Sequence, residues 1–214
     1  MPVGQLSAGN GGGSELVVFL PGRWSRVAEF ERERFFEIAA KRWPDARLVA
    51  PDLHLGYYQN QSVARRLHED VILPARRSGV KTVRLVGISM GGLGALIYDV
   101  EYPHQVDEMI LLSPFVGEED ALKEIEAAEG LENWHPGRIA QRDFSRKLWL
   151  KLRESWREMG NRPEVLLGCG QDDRLAASNR LFAKEFLKPG DQLWMAGGHD
   201  WPTWRPLFER LIEK

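Results

Sequence analysis

The chain has 214 residues, 43% hydrophobic and 28% charged, with 29 basic against 31 acidic side chains for a formal net charge of −2. One domain is expected at this length, with enough surface buried on folding that no disulfide or metal is needed to hold a core. The balanced charge argues against a nucleic-acid partner or an anionic membrane surface, both of which select clustered positive charge.

Residues 1–14 are rich in Gly, Ser and Asn and carry neither the charged start nor the apolar run of a signal peptide, so they are expected to form a flexible arm. A single domain is expected over 15–214. No apolar run approaches the ~18 residues of a membrane-spanning helix, so no membrane insertion is expected. The single cysteine, Cys169, can form neither an internal disulfide nor a spaced-cysteine metal site. A free thiol fits a reducing compartment, and the expected location is the cytoplasm.

From Leu16 onward, short runs rich in Val, Leu and Ile alternate with stretches of helical periodicity. Strands are expected at Leu16–Leu20, Arg47–Ala50, Thr82–Ile88, Glu108–Leu112, Glu164–Cys169 and Asp191–Met195. None alternates strictly between apolar and polar, so the sheet should be buried on both faces. One-sided apolar stripes mark the helices: Phe35, Ile38 and Ala39; Val63, Leu67 and Val71; Leu93, Leu96, Ile97 and Val100; Ala177, Leu181 and Phe182; Leu207, Phe208, Leu211 and Ile212. This order predicts an α/β protein, a three-layer α/β/α sandwich around a mostly parallel sheet of about six strands.

The rhythm breaks once, where about fifty residues separate Leu112 from Glu164, far more than an ordinary crossover. A short helical insertion is expected over 115–162. Within it an acidic helix near Glu118–Glu129 precedes one with Phe144, Leu148, Leu152 and Trp156 at every fourth position, widened by Trp149 and Leu150. Such a helix either packs on the sheet or forms a lid over a substrate pocket, and both readings stand at this point.

The third strand runs into Gly87-Ile88-Ser89-Met90-Gly91, then Gly92 and an amphipathic helix. A nucleophile at so tight a turn takes strained torsions, and glycines beside it leave room for strand and helix to approach. The turn also sets the Ser89 hydroxyl near a helix N-terminus, where free N–H groups favour negative charge. A serine hydroxyl needs a base, and the base needs a carboxylate to orient it. Asp172 and Asp173 follow the fifth strand in Gly170-Gln171-Asp172-Asp173, and His199 follows the sixth in Gly197-Gly198-His199-Asp200-Trp201. All lie at strand C-termini, where open α/β sheets bind ligands. Only one of the adjacent aspartates can face His199, and a loop carboxylate here can alternatively cap the helix that follows. Asp200 is read as a local loop hydrogen-bonder, His54 as structural, and His68, His104 and His135 as surface or loop residues.

The order Ser, Asp, His, the elbow at Gly87–Gly91, the acid and His loops, and Pro51-Asp52-Leu53-His54-Leu55-Gly56 after the second strand resemble the α/β-hydrolase fold family over nearly the whole chain from Leu16. The likeness is to a small serine esterase, lipase or thioesterase. It implies hydrolysis of a small-molecule carboxylic ester or thioester through an acyl-enzyme on Ser89, with His199 as base and no metal or cofactor. The family's Gly-x-x-Asp spacing points to Asp173 rather than Asp172 as the acid. It also implies an oxyanion hole from the backbone N–H of Met90 and of Arg23, in a loop where the family's usual His-Gly is replaced by Pro21-Gly22. Trp24, Trp149 and Trp201, three of 8 tryptophans, are candidate substrate-pocket walls, the alternative being that such rings fill the core. An amidase or peptidase on the same residues, and a hydrolase-fold binding protein without turnover, remain the other readings.

Overall fold

The computed structural model describes residues 3–4 and 13–214. Its strands are β1 (Val3–Gly4), β2 (Glu15–Leu20), β3 (Arg47–Pro51), β4 (Thr82–Ile88), β5 (Glu108–Leu112), β6 (Glu164–Gly170) and β7 (Gln192–Met195). They form one sheet in the order β1-β3-β2-β4-β5-β6-β7. From β3 to β7 every neighbouring pair is parallel, whereas β1 runs antiparallel to β3, with Val3 opposite Pro51. The six expected strands are β2 to β7, each end within one residue of its expected position. β1 falls inside the expected N-terminal arm, whose other residues up to 12 lie outside the described ones.

The helices in chain order are α1 (Val27–Arg32), α2 (Phe35–Arg42), α3 (Leu55–Gln59), α4 (Val63–Leu67), α5 (Leu73–Arg77), α6 (Met90–Glu101), α7 (Glu119–Ala127), α8 (Phe144–Leu152), α9 (Ala176–Phe186) and α10 (Trp201–Ile212). Wider π turns at His68–Ile72 and Arg153–Glu158 bridge α4 to α5 and extend α8. No helix among the described residues is long and apolar enough to cross a membrane.

Because side chains alternate across a strand, β2 serves two cores at once. Val17 and Phe19 face Phe30, Phe35, Phe36, Trp204 and Phe208 of α1, α2 and α10, where Phe35 stacks on Phe208 at 4.7 Å. Leu16, Val18 and Leu20 face the other cluster, which holds residues of α4, α6, α8 and α9. The winding reverses at β2, since β3 lies on one side of it and β4 on the other. Such a reversal opens a crevice at the carboxyl ends of the strands, here between the loops that leave β2 and β4.

The insertion is built on α7 and α8. The Arg146 guanidinium binds Asp120, Glu124 and Asp143, tying the two helices together. Leu148, Trp149, Leu152 and Trp156 are buried in the second core cluster. The Trp149 ring packs against Phe182 and Phe186 of α9, and its N–H donates to the Val116 carbonyl at 2.8 Å. With 0% of its surface exposed, Trp149 can meet no substrate, which corrects its reading as a pocket wall. Trp156 donates to Asp99 Oδ2 of α6 at 2.6 Å. Burial pushes the Asp99 carboxyl up to about 6, although the Trp156 bond favours its charged form.

Candidate active site

The chain turns from β4 into α6 at Ser89, which has φ 52° and ψ −113°. Such torsions cost a non-glycine residue roughly 1–3 kcal/mol, so the surroundings must impose them. The Ser89 N–H donates to the Leu112 carbonyl at 2.9 Å, and its carbonyl accepts from Phe115 N–H at 2.9 Å and Gly92 N–H at 3.0 Å. Two glycines make room for this. A Cβ at Gly87 would stand 2.7 Å from Gly92 Cα, and one at Gly91 would stand 2.0 Å from the Leu20 carbonyl oxygen. The loop after β2 therefore runs directly over the first turn of α6.

His199 lies between β7 and α10. Gly197 before it holds φ 133°, and a Cβ there would strike Thr203 Oγ1 at 2.3 Å. Asp200 caps α10, accepting from Thr203 N–H at 3.1 Å, the local role expected of it. The imidazole Nε2 is 2.9 Å from Ser89 Oγ, and Nδ1 is 2.9 Å from both oxygens of Asp173. A carboxylate only accepts, so Nδ1 carries the proton and Nε2 is left to accept from the serine hydroxyl.

Asp173 follows β6, is 5% exposed, and accepts at Oδ1 from the Leu175 N–H at 2.8 Å. Burial opposes its charge, but the hydrogen bonds from His199 and the Leu175 N–H favour it, and its carboxyl is held below the ordinary value. Asp172 is exposed beside it and points elsewhere than His199. The fold thus brings Ser89, Asp173 and His199 into contact although the chain between serine and histidine spans 110 positions.

Met90 is the first residue of α6, so its N–H is among those a helix leaves without an intrahelical acceptor. The half-buried Tyr58 donates its hydroxyl proton to the Met90 carbonyl at 2.9 Å, and desolvation raises this phenol above its ordinary value, keeping it a neutral donor. A Cβ at Gly22 would lie 3.6 Å from Ser89 Cβ, so the turn that carries Arg23 abuts the elbow. Trp24 is 82% exposed beneath the Arg23 guanidinium, 4.9 Å from the ring centroid. Trp201, partly buried, sits edge-to-face against Phe30, Phe35 and Trp204.

Two of the remaining histidines do structural work, whereas His104 and His135 are exposed. His54 Nδ1 accepts from Gly56 N–H at the start of α3, and His68 stacks on Tyr102 at 4.1 Å, half-buried rather than at the surface. One residue escaped sequence reasoning. Ser113, immediately after β5, has no exposed surface and φ 45°, and its Oγ accepts from Trp204 Nε1 at 3.2 Å. The Trp204 ring meets the His199 ring at 4.9 Å and 88°. The available signal was position, since Ser113 also closes a strand at its carboxyl end. Among the described residues no group of three or more His, Cys, Asp or Glu side chains is arranged to hold a metal ion.

A family model described as "Putative esterase" matches residues 61–213. No curated protein matches the chain. Among solved structures, an S-formylglutathione hydrolase from Staphylococcus aureus aligns with TM-score 0.64 at 19% identity, over 94% of this chain and 80% of that one. Est1E from Butyrivibrio proteoclasticus aligns with TM-score 0.64 at 14% identity, over 97% and 89%. A fluorophosphonate-binding serine hydrolase from Staphylococcus aureus aligns with TM-score 0.63 at 17% identity, over 94% and 82%. At these identities the likeness establishes the fold, that of the α/β-hydrolases.

Proposed function

The chain belongs to the Esterase family and is a hydrolase acting on esters, and we propose that it works through an acyl-enzyme formed on Ser89. The observation that carries this reading is the His199 ring held between Ser89 Oγ and the Asp173 carboxylate, 2.9 Å from each. As Ser89 Oγ attacks the carbonyl carbon, His199 Nε2 takes its proton, and Asp173 keeps the imidazole in the required tautomer and stabilises its cation. The N–H groups of Met90 and Arg23 receive the developing oxyanion. His199 returns the proton to the leaving alcohol. Water, deprotonated by the same imidazole, then attacks the acyl carbon and frees Ser89 and the carboxylic acid. A thioester carbonyl would react in the same way, with a thiol leaving. Nucleophile, base and oxyanion donors all come from the chain, so no step calls on a metal or cofactor. The substrate is a small molecule, and the exposed Trp24 ring offers it an apolar wall beside the oxyanion loop.

Incubation with a fluorophosphonate, followed by intact mass and peptide mapping, tests this. One adduct per chain is expected on Ser89, absent from Ser89→Ala and His199→Ala. Hydrolysis of an activated ester should fall by ~10⁴-fold or more in either variant. Turnover that persists in a folded Ser89→Ala protein overturns the mechanism.

A further inference from the structure

Resting on that reading, we propose that the Phe115 and Phe144 rings wall the acyl subsite, and that the site takes esters with an apolar acyl group of several carbons rather than an acetyl group.

Three large hydrophobic side chains are exposed among the described residues: Trp24, Met159 and Phe144, the last 36% exposed at the first turn of α8. The Phe144 ring does not stand alone. It meets the half-buried Phe115 ring at 6.2 Å and 44°. A single exposed hydrophobe is ordinary, whereas joined ones beside a catalytic crevice mark a ligand surface.

The hydrogen bonds fix where this pair stands. The Phe115 N–H donates to the Ser89 carbonyl at 2.9 Å, so Phe115 touches the nucleophilic residue itself. A phenylalanine ring centre lies ~5 Å from its own nitrogen, which keeps this ring within reach of an acyl group carried on Ser89. Pro114 packs on the elbow helix, since a Cβ at Gly92 would stand 2.6 Å from Pro114 Cβ. Farther along, the Trp149 N–H holds the Val116 carbonyl, and the Glu118 N–H donates to Ser145 Oγ, at 2.8 Å each. Asp143 caps the turn that carries Phe144, accepting from the Arg146 N–H at 3.1 Å. The wall is therefore tied to the elbow at one end and to α8 at the other.

The two faces of the sheet assign it to the acyl half of the ester. His199 returns a proton to the leaving alcohol, so that oxygen must sit beside the imidazole. The imidazole lies edge-on to Trp204, which belongs to the core cluster of α1, α2 and α10. Phe115 packs on the opposite cluster, that of α4, α6, α8 and α9. The alcohol thus departs on one side, and the acyl group extends toward the other, over the two rings.

The test is kcat/KM, per site titrated with fluorophosphonate, for p-nitrophenyl acetate and hexanoate and for methyl and phenyl acetate. Wild type should favour hexanoate over acetate by about tenfold or more. Phe144→Ala should reduce that preference roughly tenfold through hexanoate alone, with an unchanged melting temperature, because the chain loses apolar contact. Phe144→Leu, which keeps an apolar surface, should retain most of the preference, and Phe115→Leu should lower it. Met159→Ala should leave it as in wild type. The ratio of phenyl to methyl acetate should stay constant throughout.

The same hexanoate-to-acetate ratio in wild type and Phe144→Ala overturns the proposal, as does a wild type that favours acetate. A change confined to the phenyl-to-methyl ratio also overturns it, by putting the rings on the alcohol side. If Phe115→Leu does not fold, the exposed Phe144 decides alone. Failure of the underlying reading looks different: turnover is absent from wild type or persists in Ser89→Ala, whereas Ser89-dependent turnover indifferent to Phe144 removes the subsite only.

Discussion

Ser89 keeps its left-handed torsions because its neighbours leave it no alternative, and Gly91 is where that arrangement can be tested. A Cβ at Gly91 meets the Leu20 carbonyl oxygen at 2.0 Å and the Pro21 carbonyl oxygen at 2.8 Å, so the loop must retreat and carry the Arg23 N–H away. Gly91→Ala should lower ester hydrolysis by ~10²-fold, the cost of a lost oxyanion donor, and should lower the melting temperature. Gly190→Ala, whose Cβ meets nothing within 4 Å, should leave both unchanged in steady-state and melting measurements. Asp99 gives a prediction in pH. Its carboxyl is raised from 3.8 to about 6, so the folded protein holds this proton more tightly than the unfolded chain does. That contribution to stability is complete below about pH 4 and is lost as pH rises through about 6. By pH 8 the buried charge costs about 2–3 kcal/mol. Asp99→Asn, which still accepts from Trp156, should melt higher than wild type at pH 8 and equally at pH 4; equal gains at both would refute it. Ser89 and His199 were legible because glycines flank them in a recognisable order. Ser113 was not, since Leu-Leu-Ser-Pro has no local pattern and its partner Trp204 lies 91 positions away.

The period-four stripe of α8 identified a helix, but the same stripe suits a lid or a covering helix, and only its partners distinguish them. Trp149 and Trp156 both pack on Phe182 and Phe186, and Arg146 fastens α8 to α7 through three carboxylates. Trp149→Ala should therefore cost ~3–5 kcal/mol, as for other large buried rings. The preference among ester chain lengths should stay as in wild type. A shifted preference with an unchanged denaturation midpoint would refute this. The short helices α1 and α3 gave no apolar stripe to read, because their ends are set by local bonds. The Glu29 carboxylate accepts from Arg26 N–H at 2.8 Å in α1, and His54 caps α3.

At the scale of the whole molecule, β2 to β7 were legible because a strand covered on both faces must be apolar at nearly every position. Their spatial order is written nowhere locally. It follows from crossovers that wind outward in two directions from β2, a connection that between parallel strands is as a rule right-handed. That winding sets the loop after β2 beside the elbow after β4. The apolar side of α8 has a further consequence for how such a protein can change. Because Trp149 and Trp156 belong to the insertion and to the core together, the segment between β5 and β6 is no exchangeable cassette. A graft there would have to refill the space against α9 and give Asp99 a new donor. The exposed tip Arg23-Trp24 fills no core. On the function proposed above, it is the place where sequence can drift, or be redesigned, to alter which esters are accepted while the scaffold stays intact.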